Sequence, residues 1–275
     1  MRKIWNRPFQ LVLLASLLLA APALMAEQFD HDYHSYAGVL RSYVRPPRVD
    51  YASLVANRTG LDRAVSELDS ASARGEPGWT REQRLAFWIN AYNVFTLRAV
   101  VDRYPIRAGW LTRFPRNSIR QIDGVWTTRQ WRAAGRVVSL DDIEHRILRP
   151  EFRDARIHFA INCASISCPR LAAEPYRAGT LDAQLDAAGR TFLAGAEGLQ
   201  RTGDTIRVSS IFKWYGDDFV AQYAPIVPGQ RDAKERGILG AVVKYGSAEA
   251  SAHARTGTPA IRYLDYDWTL NDAAR

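Results

Sequence analysis

Residues 158–169, with the sequence HFAINCASISCP, contain both cysteines of the chain, Cys163 and Cys168, and place Ser165 between them. The preceding residues 156–162 alternate between apolar and polar or small side chains, which predicts a strand that ends just before the cysteines. Ligand-binding and catalytic groups favour loops that a rigid element holds in place. This concentration of thiols and hydroxyls makes the segment the first candidate for a functional site.

Four interpretations of the two cysteines stay open. Cys163 and Cys168 can form a short-loop disulfide in an oxidising compartment. Alternatively, Cys163 can act as a nucleophilic thiolate that a histidine activates. A third possibility is a zinc or copper site made with His145 and His158, although the spacing of these four residues matches no common zinc motif. The last possibility is that both thiols are buried and unreactive.

Two of the five histidines, His145 and His158, remain as candidate bases, since the others lie on the N-terminal helix or in a loop of small residues. Glu144 lies near the apolar stripe of the helix that carries His145, so its carboxylate needs a partner or has a raised pKa. Glu144 either orients His145 or pairs with an arginine. His158 is either a catalytic base or a hydrogen-bonded structural histidine.

Further polar and aromatic residues could support such a site. Asn90 and Asn93 lie on a helix that is apolar on every side, so their amides would be buried and need partners. Such amides can also stabilise a developing oxyanion. Trp214 lies in the cluster FKWY, and Asp267 lies in YDW after the last predicted strand. Each of these two segments either stacks on a ligand or packs in the core.

Periodicity and capping signals supply the elements that must position these residues. Helices are predicted over about 30–44, 51–72, 80–97, 139–148, 181–195 and 211–223. Strands are predicted at 156–162, in a hairpin over 199–209 that turns at Gly203, and at 260–266. Residues 107–138 are predicted to be loop with a short strand, and a loop region follows residue 223. We therefore predict one α+β domain over 27–275, with helices outnumbering strands and a small mixed or antiparallel sheet.

Composition and charge narrow the function further. The chain has 275 residues, a formal net charge of +8 and two cysteines, which excludes disulfide-rich scaffolds and zinc sites made only of cysteine. Residues 1–26 have a basic start, an apolar run and small residues before Ala26, which predicts a cleaved signal peptide and a periplasmic or secreted protein. Cleavage would remove three positive charges and leave +5. No later segment is expected to span a membrane.

The remaining positive charge comes mostly from scattered arginines, without a basic cluster or a recognition-helix pattern, so no nucleic-acid partner is expected. The sequence also lacks a glycine-rich phosphate loop, a Gly-x-Ser-x-Gly elbow and a His-Glu-x-x-His helix. We therefore expect no cofactor and no metal, and the predicted partner is a small-molecule or peptide ligand.

Five separated motifs carry a resemblance to a known family, and they are FWINAYN at 87–93, IEH at 143–145, residues 158–169, FKWY at 212–215 and YDWTLN at 266–271. With these motifs the chain resembles the bacterial family called domain of unknown function 547, over about 49–271. The resemblance implies one domain, export of the bacterial members and a shared pocket. Plant relatives carry this domain behind a coiled coil.

In the plant relatives serine replaces Cys168, cysteine is kept at Cys163, and His158 has no match. The resemblance therefore favours Cys163 as the reactive thiol and His145 as its base. Thiol-dependent acyl transfer or hydrolysis of amide or peptide-like substrates is the function we expect, with Glu144 or an asparagine orienting His145. The alternative is a non-enzymatic periplasmic binding or scaffold domain with a structural or redox-active Cys163–Cys168 disulfide.

Overall fold

A computed structural model describes residues 29–71, 78–109 and 111–274. The predicted signal peptide lies outside these residues. The α-helices of the described part are α1 His34–Tyr43, α2 Tyr51–Ala56, α3 Thr59–Ser70, α4 Arg81–Val101, α5 Ile157–Ala160, α6 Leu181–Ala194, α7 Ser210–Tyr215, α8 Val220–Tyr223, α9 Ala233–Tyr245 and α10 Ala248–Arg255. A π-helix spans Asp142–Phe152. Within the described part, no helix combines the length and apolar character that a bilayer span requires.

The strands are short and form three small sheets. They are β1 Val44–Arg45, β2 Arg48–Val49, β3 Trp131–Ala133, β4 Arg136–Val138, β5 Leu199–Thr202, β6 Thr205–Val208 and β7 Ala260–Tyr263. The largest sheet has the order β5-β6-β7, with β5 and β6 antiparallel and β6 and β7 parallel. The hairpin turns at Gly203, whose φ of 56° is easily adopted by glycine. The predicted α+β class with a small mixed sheet is confirmed.

Helix α4 forms the centre of the first of two apolar clusters. Thr80 and Gln83, whose spacing is typical of a capping box, form one at its start, since Thr80 N donates to Gln83 Oε1 at 2.9 Å and Gln83 N donates to Thr80 Oγ1 at 3.2 Å. Its side chains are buried around the whole circumference, including Trp88, Ile89 and Phe95. The all-round apolar pattern therefore correctly predicted a central helix.

The second apolar cluster gathers around α9, through Ile238, Leu239 and Val242. Helix α5 connects the two clusters, because Ile157 packs in the first and Phe159 in the second. The candidate site lies close to this junction.

The strand predicted over 156–162 is wrong, because residues 157–160 form the single helical turn α5 and the chain becomes extended only afterwards. Asp154 starts the turn by accepting from Arg156 N at 3.0 Å, while its carbonyl accepts from Ile157 N at 3.2 Å. Residues 157–162 are all buried. The alternation in the sequence therefore does not correspond to one buried and one exposed face.

Three further boundaries differ from the prediction. The predicted helix over 51–72 is two helices, α2 and α3. The π-helix continues through Pro150 instead of ending before it. The region predicted as loop after residue 223 contains α9 and α10, whose sequences include the helix-disfavouring Gly237 and Gly240. A Cβ at Gly240 would lie 2.0 Å from Tyr223 O, so this glycine permits close packing of α9 against α8.

Candidate active site

A cavity of about 570 Å³ opens near the junction of the two apolar clusters. Its walls come from six parts of the chain, which are Tyr92 of α4, residues 114–127, the π-helix with the preceding Asp141, residues 158–169, α7 and residues 266–268. Six candidates from the sequence line it together, and they are Glu144, His145, His158, Cys163, Cys168 and Trp214. Elements distant in sequence thus bring two thiols, two imidazoles and the carboxylates of Glu144 and Asp141 to a common space.

The loop that carries Cys163 is held by a hydrogen-bonded asparagine. Asn162 donates from Nδ2 to Pro169 O at 2.7 Å and accepts from Ala164 N at Oδ1 at 2.9 Å. Asn162 N in turn donates to Asn93 Oδ1 at 2.8 Å. Ala164 has a φ of 58°, a left-handed conformation that costs free energy for a residue with a Cβ. These bonds hold the chain in a tight bend on the C-terminal side of Cys163.

The same loop is paired with the C-terminal segment 266–271. Ile166 N donates to Thr269 O at 2.9 Å, and Asp267 N donates to Ser167 Oγ at 2.9 Å. The Asp267 carboxylate accepts from Thr269 N at 2.8 Å, so it caps a local turn. Pairing with this segment brings Tyr266 to the thiol.

Three side chains surround the sulfur of Cys163. Its Sγ lies 3.2 Å from Ser165 Oγ, 3.2 Å from Tyr266 Oη and 2.8 Å from Cys168 Sγ. Burial raises the pKa of the Cys163 thiol, but hydrogen bonds from Cys168, Ser165 and Tyr266 outweigh burial and lower this pKa to about 7. The side chain of Cys163 remains partly exposed. A substantial fraction of this accessible thiol is therefore ionised at neutral pH.

Cys168 has the opposite character. It is buried, and burial together with the neighbouring Cys163 raises the pKa of its thiol well above the usual value. It therefore remains protonated and can donate a hydrogen bond to the Cys163 thiolate. Both cysteines are free thiols, and no disulfide joins them.

His158 is oriented by a carboxylate. Its Nε2 lies 2.7 Å from Asp218 Oδ2, and its ring stacks on Tyr215 with centroids 4.3 Å apart. Arg149 holds the same carboxylate, donating from Nε at 2.7 Å and from Nη2 at 3.0 Å. Burial opposes ionisation of Asp218, but the hydrogen bonds from His158 and Arg149 lower its pKa. Among the described residues none bonds to Nδ1 of His158, and His158 is one of the residues that line the cavity.

His145 has a less favourable environment for a base. Its Nδ1 lies 3.1 Å from Arg149 Nη1, which can only donate, so the lone pair of Nδ1 is occupied. Its Nε2 lies 3.9 Å from Asp141 Oδ1. Glu144 does not pair with His145 in the described residues. Its charge acts on Tyr215 instead, because burial and then the charge of Glu144 raise the pKa of Tyr215.

Asn90 and Asn93 lie outside the cavity walls. Asn90 donates to Tyr176 O at 2.8 Å and accepts from Tyr176 N at 3.0 Å. Asn93 donates to Ala160 O at 3.1 Å and accepts from Asn162 N. Both amides are thus satisfied by backbone groups, as buried amides require. The oxyanion role expected of Asn90 and Asn93 is therefore corrected to a structural one. Asn93 supports the loop that carries Cys163 through its bond with Asn162 N.

Trp214 and Tyr266 form an aromatic wall of the cavity together with Trp268. Ring centroids of Trp214 lie 4.9 Å from Tyr266 and 5.9 Å from Trp268, and Trp214 is 43% exposed. The neighbouring Phe212 is fully buried in the second cluster. The cluster at 212–215 therefore serves both the core and the cavity.

The four residues considered as metal ligands do not form such a site. Among the described residues, no group of three or more histidine, cysteine, aspartate or glutamate side chains is arranged to hold an ion. His158 bonds instead to the carboxylate of Asp218.

Comparison with known protein families finds a match in the central part of the chain. Residues 77–193 match the model of a family described as "Protein of unknown function, DUF547". Over these residues the chain resembles the DUF547 family. The match covers α4, the π-helix and the cysteine loop, and it ends before Trp214 and Tyr266. No curated protein and no solved structure matches the chain.

The sequence did not single out three residues of the site as candidates, and they are Asp218, Tyr266 and Arg149. Asp218 and Tyr266 lie in or beside aromatic motifs that were noted, so proximity to those motifs was the available signal. Arg149 is one of many arginines, and nothing in the local sequence distinguishes it.

Proposed function

We propose that the protein uses Cys163 as a nucleophile for acyl transfer or hydrolysis on amide or peptide-like substrates. One observation carries this proposal. A partly exposed thiol lies in a cavity wall, and three hydrogen-bonding side chains lower its pKa to about 7. Structural thiols lack such an environment, whereas nucleophilic cysteines depend on it.

In this proposal the Cys163 thiolate attacks the substrate carbonyl, and His158 moves the protons. Asp218 bonds to Nε2 of His158 and favours the tautomer in which Nδ1 is the basic nitrogen. Protonated Nδ1 delivers a proton to the leaving amine, and neutral Nδ1 then accepts one from the water that cleaves the thioester. We assign this role to His158 rather than His145, because Arg149 occupies Nδ1 of His145. The charge of Glu144 favours the protonated form of Tyr215, on which the His158 ring stacks.

Burst kinetics with p-nitrophenyl butyrate test the proposal. The wild-type protein should release one equivalent of p-nitrophenol quickly and form a butyryl thioester on Cys163 that mass spectrometry detects. Cys163→Ala should abolish both, His158→Gln should slow thioester hydrolysis, and the exposed His34→Gln should change neither. Release that persists in Cys163→Ala would refute Cys163 as the nucleophile, and a wild-type protein that releases no p-nitrophenol would favour the non-enzymatic binding domain.

Thiol–disulfide exchange is a second candidate, which the 2.8 Å distance between the two sulfurs favours. A thiolate beside a protonated partner thiol can attack an external disulfide, and the partner can then displace the resulting mixed disulfide. The external disulfide is reduced to two thiols while Cys163 and Cys168 lose two hydrogen atoms.

Equilibration with mixtures of reduced and oxidised glutathione separates this candidate from acyl transfer. A redox pair should convert reversibly to an internal disulfide that resists alkylation. A stable glutathione adduct on Cys163, with Cys168 still free, would argue against redox cycling.

We further propose that the protein is exported to the periplasm or secreted, on the basis of residues 1–26. N-terminal sequencing of the protein recovered from its native cell should find a mature end near Glu27. A start at Met1 in the cytosol would contradict export.

A further inference from the structure

Arg120 lies at the aromatic end of the cavity, on the short 3₁₀ turn Ile119–Gln121. Ser118 fixes this turn, because its Oγ accepts from Arg120 N at 3.2 Å. Ile119 anchors the turn in the first apolar cluster, while Arg120 is exposed. The backbone that carries the guanidinium is therefore held in place although the side chain reaches the cavity.

Three aromatic rings surround the guanidinium. Its central carbon lies 4.2 Å from the ring centroid of Phe114, 5.0 Å from that of Trp268 and 5.4 Å from that of Trp126. Cation–π attraction to several rings favours one placement of a side chain that would otherwise be mobile. The three rings thus fix the position of the positive charge but do not neutralise it.

Among the residues that the structure describes, none accepts a hydrogen bond from the guanidinium of Arg120 or forms an ion pair with it. Arg149, which bonds to the cavity residue His145, contrasts with it, because both oxygens of Asp218 neutralise Arg149. Arg120 therefore offers a planar fork of donors that suits an external anion.

Two rings connect this guanidinium with the thiol. Trp268 contacts Arg120 on one side, and its ring centroid lies 4.6 Å from that of Tyr266 on the other. Tyr266 Oη lies 3.2 Å from Cys163 Sγ. A ligand that spans these two rings would have one end at Arg120 and the other at the thiol.

We propose that Arg120 and its three rings form a carboxylate-binding subsite, so that the substrate carries a carboxylate and an apolar or aromatic portion beyond the bond that Cys163 attacks. This inference rests on the proposed function and specifies its substrate class. A carboxylate is favoured over a phosphate because one guanidinium balances its single negative charge, whereas a phosphate dianion calls for further cations.

Binding of hydrocinnamate, compared with neutral hydrocinnamamide, tests the subsite through the fluorescence of the cavity tryptophans. Wild-type protein should bind hydrocinnamate about tenfold more tightly than the amide, as expected for one charge-assisted pair. Arg120→Gln should remove this preference, Arg120→Lys should retain part of it, and Arg113→Gln should leave it unchanged. Arg113 is the matched control, because it is also exposed and lies 5.8 Å from the Phe114 ring without lining the cavity.

Equal affinity for the two ligands, or an unchanged preference in Arg120→Gln, would overturn the inference. Tighter binding of phenyl phosphate than of hydrocinnamate would also refute a carboxylate subsite. These titrations need no reactive thiol. A carboxylate preference without Cys163-dependent ester cleavage would therefore reject the proposed function alone, and cleavage without the preference would reject the subsite alone.

Discussion

The hydroxyl of Tyr266 should control the ionisation of Cys163. It lies 3.2 Å from Cys163 Sγ and 3.2 Å from Ser165 Oγ. Tyr266→Phe removes this donor and keeps the ring that packs against Trp214 and Trp268. Because a donor stabilises the thiolate and not the thiol, its loss must raise the pKa of Cys163.

The expected size of the shift follows from the hydrogen bond. A hydrogen bond to a charged group contributes about 1.5–3 kcal/mol. One pKa unit corresponds to about 1.4 kcal/mol, so the pKa of Cys163 should rise by about one to two units. At pH 7 the ionised fraction should fall from about one half to about a tenth or less, and the rate of alkylation should fall at least about fivefold.

The assay is the pH dependence of iodoacetamide alkylation at Cys163, followed by peptide mass spectrometry. Tyr263→Phe is the matched control, since the Tyr263 hydroxyl bonds to no described residue and lies three positions earlier. The control should keep the wild-type midpoint. An unchanged midpoint in Tyr266→Phe, with the fold intact by circular dichroism, would refute the hydrogen-bond explanation of the lowered pKa.

Three further predictions concern the support of the site. Asp218→Asn should lower stability by about 2 kcal/mol at pH 7, because Arg149 loses its charged partner. Because folding lowers the pKa of Asp218, its contribution to stability is complete above about pH 4 and shrinks as the pH falls below that value. The stabilities of wild type and Asp218→Asn in urea should therefore converge in acid and not in base. Asn93→Leu should lower the free energy of unfolding by about 2–3 kcal/mol and slow alkylation of Cys163, because Ala160 O and Asn162 N lose their partner. A stability equal to that of wild type would contradict this role of Asn93. Gly240→Ala should destabilise the protein by more than about 2 kcal/mol. Gly38→Ala should stabilise it by up to about 1 kcal/mol, because a Cβ at Gly38 meets no atom within 4 Å. Equal effects of the two variants in thermal melts would argue against close packing at Gly240.

The sequence predicted the parts of the fold that local signals determine. The capping box at Thr80 and the uncharged stretch after it identified α4, and Gly203 identified the hairpin turn. The strand predicted over residues 156–162 was wrong, because an alternating pattern indicates a strand only when one face is exposed. Here all side chains of the helical turn α5 are buried. Helix α9 was missed because its glycines serve tertiary packing, which local propensity does not contain.

The sequence predicted individual residues of the site but not the contacts between them. Clustering of thiols and hydroxyls pointed to Cys163, and the structure places this residue in a cavity with His158, His145 and Glu144. Pairings between distant segments were not readable, and His158 with Asp218 is the clearest example, since 60 positions separate them. The free donors of Arg120 depend on which carboxylates lie nearby, and this is a property of the folded chain alone.

Site-resolved alkylation of the native, reduced protein tests the central claim most directly. Brief treatment with iodoacetamide at several pH values, followed by peptide mass spectrometry, measures each cysteine separately. We predict that Cys163 reacts at least about tenfold faster than Cys168, because only Cys163 is accessible and ionised near neutrality. Its reactivity should have a midpoint near pH 7. Equal rates at the two cysteines, or a midpoint at or above about pH 8.5, would contradict Cys163 as an activated nucleophile.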